Sequence, residues 1–370
     1  MRSAISTLAL LGLLGCSSSE IHFIPTSIPT GRRPMSVAVA DFDRDGKLDL
    51  AVTSYVESNV GVYRGRGDGT FEDRVIYGAG LGCDAVVTGD FDGDGWTDLA
   101  VINELAQTVG FLRNRGDGTF STAVNREIFA SEILAGDFNG DQRDEIAVST
   151  GSSSLILGLG AGTTTAIEGP LWLGARDWDG AQAGTAVSAD FDRDGVWDLA
   201  ARADQGVALA YRAGAPDTRA IRTIPTALGS VDALTAGDFN LDGAPDLAVL
   251  GSRLSGVVFE HFVVVYLNDG TGGLSLHDSY PSDGVLRMAT GDLNGDGIPD
   301  LAITNTTELE ILTGVGDGSF SHNRFLPSPF PPYFIWPSSM AIADLNGDGK
   351  ADIVLTNPSF DTLTIFLVSS

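Results

Sequence analysis

Asp90-Phe91-Asp92-Gly93-Asp94-Gly95-Trp96-Thr97-Asp98 runs directly into the apolar stretch Leu99-Ala100-Val101-Ile102. Versions of the same nine residues begin at Asp41, Asp137, Asp190, Asp238, Asp292 and Asp344, so there are seven copies. The pattern is Asp, apolar, Asp or Asn, any residue, Asp, Gly, two further residues, Asp. Side-chain oxygens at positions 1, 3, 5 and 9, with a backbone carbonyl at position 7, suit a hard divalent cation. Calcium takes about six to eight oxygens at roughly 2.3–2.6 Å in flexible geometry, and Gly at position 6 permits the tight turn. Magnesium demands a near-ideal octahedron and keeps its waters, and fits less well.

A single copy reads equally well as a solvated Asp-Gly turn. Recurrence removes that reading and makes calcium the expected cofactor, at up to seven sites. The candidate ligands are Asp41, Asp43, Asp45 and Asp49 in copy one, and Asp90, Asp92, Asp94 and Asp98 in copy two. Copies three and four offer Asp137, Asn139, Asp141 and Glu145, then Asp190, Asp192, Asp194 and Asp198. Copies five to seven offer Asp238, Asn240, Asp242 and Asp246, Asp292, Asn294, Asp296 and Asp300, and Asp344, Asn346, Asp348 and Asp352. Copy three has Gln142 where Gly is wanted and Glu145 in place of the last Asp, so its site is expected to be the weakest.

Ser36-Val37-Ala38-Val39-Ala40 precedes the first loop and Leu50-Ala51-Val52-Thr53 follows it. Alternation and short β-branched runs are strand signals, so each loop joins two antiparallel strands. Loop starts are spaced 49, 47, 53, 48, 54 and 52 residues apart. About fifty residues is one four-stranded propeller blade. Repeat one supplies strands over 36–40, 50–54, 59–64 and 72–77, with a Gly67-Asp68-Gly69-Thr70-Phe71 turn before the last. The last repeat has strands over 340–343, 353–356 and 362–368 and lacks a fourth. The stretch Glu20–Thr26 reads like an outer strand without a blade. The expected fold is therefore all-β, a seven-bladed propeller of four-stranded antiparallel blades, its ring closed by the N-terminal strand completing blade seven.

The chain has 370 residues, 22 basic and 49 acidic, for a net charge of −27. The motif positions hold 24 of those acids, so nearly all of the net charge is site charge, and seven divalent ions would bring it to −13. Such a balance argues against nucleic acid or anionic lipid headgroups as partners. Residues 1–15 read as a secretory signal, with Arg2 ahead of an apolar run too short to span a bilayer. They end in Leu13-Leu14-Gly15-Cys16. This resembles the bacterial lipoprotein box, which implies lipidation at Cys16, a tether over 16–20, and a propeller over 21–370. The expected location is outside the cytoplasm, lipid-anchored to a bacterial outer membrane or cell surface. Cys83, the other cysteine, is expected to be a small buried hydrophobe.

Taken together, apolar strand, Asp-Phe-Asp/Asn-Gly-Asp-Gly-x-x-Asp-Leu-Ala-Val, third strand and Gly-Asp-Gly-Thr-Phe resemble FG-GAP repeats of the VCBS-like kind. These are similar to the propeller of integrin α-subunits. The resemblance implies calcium in the loops and a binding or adhesion role, since such propellers serve as adhesins, lectins, scaffolds and enzyme appendages.

No nucleophile elbow, phosphate loop, dinucleotide fingerprint or zinc spacing is present, and the loop carboxylates are committed to metal. An enzyme is not expected. Arg66-Gly67-Asp68 and Arg115-Gly116-Asp117 fall within the recurrent turn, which already explains their Gly and Asp. The departures from the repeat are more informative. Gly31-Arg32-Arg33-Pro34 before blade one and the Pro-rich 327–337 loop before blade seven should lie together on the face opposite the metal loops. Arg32, Arg33, Tyr333, Phe334 and Trp336 are the candidate partner-binding residues, Arg and aromatic side chains being enriched in binding hot spots. The Pro-rich loop could equally plug the central channel. The functional expectation is a monomeric calcium-binding surface lipoprotein acting as a protein-binding, adhesion or scaffolding module, with a carbohydrate-binding lectin as the alternative and, behind it, an enzyme whose site lies in non-repeating loops.

Overall fold

The computed structural model describes residues 21–149, 154–157, 164–167, 185–203, 206–211, 221–256, 258–283, 286–305, 308–327 and 337–369. Seven four-stranded antiparallel sheets make up this part of the chain. Blade one comprises Pro34–Ala40, Asp49–Ser54, Asn59–Tyr63 and Val75–Gly78, from the axis outward. Blades two to seven begin with inner strands Cys83–Gly89, Glu132–Gly136, Ala186–Ala189, Ala233–Gly237, Arg287–Gly291 and Met340–Ala343. Each inner strand lies against the next, and that of blade seven lies against that of blade one.

Closure follows the expected route over a longer strand. His22–Pro29 pairs antiparallel with Thr362–Ser369 at all eight positions. It is outermost in its sheet, where Pro25 and Pro29 can lack an N–H without breaking a ladder. The outer strand of blade one is shorter than its sequence suggests, because Phe71 pairs with Gly65 as an isolated bridge before the strand starts at Val75.

Seven apolar clusters hold the ring, one between each pair of neighbouring blades. The residue at motif position 2 anchors six of them: Phe42, Phe91, Phe138, Phe191, Phe239 and Leu293 are at most 1% exposed, each packed against the following blade. Leu345 serves the seventh, where Val354, Leu363 and Ile365 of blade seven meet Val37, Leu50, Val52 and Tyr63 of blade one. Two of the aromatic anchors make edge-to-face contacts across the gap, Phe42 with Phe120 and Phe239 with Phe320, both at 5.3 Å. Cys83 is fully buried in the cluster between blades one and two. Burial pushes its thiol up to about 12.

Candidate metal centres

Each motif folds into the same short loop, and its own backbone explains the conserved spacing. In loop one, Asp41 accepts N–H bonds from Asp45 (3.2 Å) and Gly46 (2.8 Å), while Asp45 accepts one from Lys47 at 2.9 Å. The equivalent bonds recur in loop two from Asp94, Gly95 and Trp96, and in loop seven from Asp348, Gly349 and Lys350. Position 6 is held at φ between 81° and 86° where it is Gly, and Gln142 is forced to φ 67° in loop three. Copy three therefore carries the expected Cβ penalty. Position 4 is also left-handed, a requirement its sequence variety conceals: Arg44, Arg193 and Leu241 have φ of 59°, 59° and 60°.

The loops gather carboxylates on one face of the ring. Asp41, Asp43 and Asp45 bring oxygens within 4.8 Å of one another, as do Asp90, Asp92 and Asp94, and Asp190, Asp192 and Asp194. Position 9 stands beside these clusters and does something further. Asp49 is 1% exposed and accepts N–H bonds from Phe42 (3.0 Å) and from Gly65 (2.8 Å) beyond the third strand. Asp246, Asp300 and Asp352 do the same with Phe239 and Asn268, Leu293 and Gly314, and Leu345 and Val368. The ninth carboxylate thus staples its loop to the end of the third strand, a role with no local signature because the partner lies 14 to 22 residues on.

Burial, followed by repulsion from the loop acids, pushes these groups up to about 6 for Asp49, Asp246 and Asp352, and about 7 for Asp98 and Asp300. Glu145 is pushed up to about 8 for the same reasons. In loop two the staple is incomplete. Asp98 receives Asn114 N–H on Oδ1 at 2.7 Å, but its buried Oδ2 has no hydrogen-bond partner. A hard donor set and, in loop two, a buried acceptor with nothing to accept from fit a divalent cation. Cationic side chains stand at three further points: Lys47 reaches Asp45 at 2.8 Å, Arg64 reaches Asp43 at 3.3 Å and Arg113 reaches Asp92 at 3.1 Å.

The opposite face carries the strand two–three turns and the crossovers. There, Arg33 adopts φ 56° and donates its N–H to Asp361 Oδ1 of blade seven at 2.8 Å, while its guanidinium lies 4.8 Å from the Tyr55 ring centroid. Arg32 beside it is exposed. Both arginines therefore sit at the seam between blades seven and one. Cys16, Tyr333, Phe334 and Trp336 lie outside the described residues.

A closed seven-bladed propeller with one acidic hairpin loop per blade is the class these features define. Residues 41–101, 90–148 and 292–355 match the FG-GAP-like repeat family, so FG-GAP-like repeats build the propeller in these three places. No curated protein matches it. Among solved structures it is similar to an Agrocybe aegerita lectin that recognises non-reducing terminal N-acetylglucosamine, with TM-score 0.60, 18% identity, and 92% of this chain and 86% of that one covered. It is also similar to BBS1N, solved in complex with ARL6DN, with TM-score 0.59, 11% identity, and coverage of 94% and 97%. Virginiamycin B lyase from Staphylococcus aureus gives TM-score 0.58 at 13% identity, covering 94% of this chain and 100% of that one. Identities this low speak for the shared propeller.

Proposed function

We propose that this protein is a calcium-stabilised recognition module whose seven loops bind Ca²⁺ and whose opposite face binds a protein at the cell surface. The observation that supports it is the division of labour between faces. One is occupied by regular acidic loops built from their own backbone, and the irregular residues Arg32 and Arg33 lie on the other, at the ring's closure. All 28 motif residues are the ligand set in this reading, with the site at Asp137 the weakest. The loop carboxylates are then structural, and the protein is not an enzyme. BBS1N, a propeller solved with a protein partner, is compatible with such a role. A lipid on Cys16 would hold the module at the surface of a bacterial membrane.

Differential scanning calorimetry in chelator and in calcium tests the metal half. With calcium at one to ten times a millimolar-range dissociation constant, mass action gives about 0.4–1.4 kcal/mol per site and roughly 3–10 kcal/mol for seven. An unchanged midpoint overturns it. Pull-down with the 21–370 domain, repeated with Arg32→Ala and Arg33→Ala, tests the other half. A glycan array run in parallel reports the lectin alternative.

A further inference from the structure

Position 3 of the loops differs in charge, and the structure shows what compensates. In loops one, two, three, five, six and seven, the Oδ1 atom of position 3 accepts the position 5 N–H, whereas in loop four the Asp194 N–H goes to Asp190. The distances are 3.3 Å for Asp43 and 3.2 Å for Asp92, and 2.8 to 3.0 Å for Asn139, Asn240, Asn294 and Asn346. The outward atom is where the two types part. In Asn240 and Asn294 it is an amide nitrogen, donating to Asp242 Oδ2 at 2.9 Å and to Asp296 Oδ2 at 3.0 Å. In Asp43 and Asp92 it is the oxygen Oδ2, and a guanidinium meets it.

Those guanidiniums come from one place in the blade. Arg64 and Arg113 each follow the third-strand residue paired with the first residue after the motif, Tyr63 opposite Leu50 and Leu112 opposite Leu99. At the same register position, blades five, six and seven have the uncharged Leu267, Thr313 and Leu367, and their loops have Asn at position 3. Blade four, with Asp192 in its loop, has Tyr211 there and stands outside this pairing.

We propose that Arg64 and Arg113 are part of the metal sites of loops one and two, where they neutralise the outward oxygen of Asp43 and Asp92. Position 3 then presents a single inward oxygen to the cation, as Asn does elsewhere. Four carboxylates less one guanidinium leave loop two at a formal −3, the charge of loops five, six and seven. The arginines are positioning residues. They keep the carboxylate from turning both oxygens onto the ion, and in loop two Arg113 brings the site to the charge of the Asn-bearing loops. This rests on the calcium reading of the loops.

Loop two supplies its own reporter, because Trp96 occupies position 7, next to the ion. On a Trp197→Phe background, which removes the tryptophan of loop four, sensitised terbium emission is measured in the 21–370 domain and competed with calcium, the part lost on a further Trp96→Phe change being the signal of loop two. The dication and a guanidinium about 7 Å apart in a water-like dielectric repel enough to change affinity about tenfold. Arg113→Leu should tighten calcium binding by that factor. Asp92→Asn should weaken it, leaving a bare guanidinium beside the ion, and Asp92→Asn with Arg113→Leu should return it to within about twofold of the parent. The Arg113 side chain is 65% exposed, so the fold should survive, and a melt in calcium checks this. If Arg113→Leu leaves affinity unchanged, or the double variant stays as weak as Asp92→Asn, the arginine has no place in the site and the inference is overturned. If the parent gives no sensitised emission at all, it is the metal reading that has failed.

Discussion

Replacing Asp246 with Ala separates the two jobs of the ninth motif residue. In the metal-free protein its carboxylate is buried and accepts Phe239 N–H at 2.9 Å and Asn268 N–H at 2.8 Å. Alanine leaves both donors buried without an acceptor, at about 1–3 kcal/mol each. Part of that loss is returned, because the deleted carboxylate was itself destabilised by burial and by Asp242 and Asp238, which push it up to about 6. A net loss near the lower bound, about 2–3 kcal/mol, is expected. Unfolding entropy of about 2.1 cal/mol/K per residue makes each kcal/mol worth roughly 1.3 °C in a chain this size, so the midpoint should fall by about 3–4 °C. The assay is calorimetry in chelator, with Asp242→Asn as the control. Asp242 is exposed and belongs to the ion cluster, so its substitution should cost little in chelator and lower the melt only when calcium is present. If Asp246→Ala melts within about 1 °C of the parent in chelator, the carboxylate is no staple and the reasoning fails.

In chelator, melting should also rise as pH is lowered from about 8 towards 5. The ninth-position acids have folded values pushed up to about 6–8 against about 4 unfolded, so the native state binds more protons in that window and acid favours it; calcium should abolish the trend, and a flat chelator profile would count against it. Gln142→Gly should stabilise the protein by about 0.5–1 kcal/mol, since relief of a left-handed side-chain residue outweighs the added freedom of the unfolded chain; equilibrium unfolding in denaturant would read it, and a destabilised variant would refute it. Cys16→Ser should move the protein from the membrane to the soluble fraction, acyl chains contributing about 0.8 kcal/mol per buried CH₂; retention in the membrane fraction would remove the lipid anchor from the reading.

The fold was legible because one nine-residue signal recurs with strands on both sides, and its spacing counts the blades. Closure was legible from a blade short of a strand and a strand short of a blade. Other features depend on partners that the local pattern does not name. The double duty of Asp49 requires knowing that Gly65 folds back over it, and the service of Arg64 requires knowing that the end of the third strand passes the loop. Blade five was hidden in another way. Its central strands run over Asp246–Ser255 and Val258–Asn268, well beyond those of blade one, and the 54-residue spacing announced extra length without saying where it goes. Position 4 was opaque because Arg, Gly and Leu all occupy it, and only the backbone reveals their shared left-handed turn.

The direction of the closing strand has a mechanical consequence. His22 lies opposite Ser369, at the metal-loop edge where Val368 N–H meets Asp352, and Pro29 lies opposite Thr362 at the other edge. Whatever precedes Ile21 therefore leaves the domain on the metal-loop side, and a tether there would turn the face bearing Arg32 and Arg33 away from its attachment. Tension on such a tether would run along the strand, loading its eight paired positions in shear together rather than peeling them one by one. The ring would be pulled along its most resistant direction.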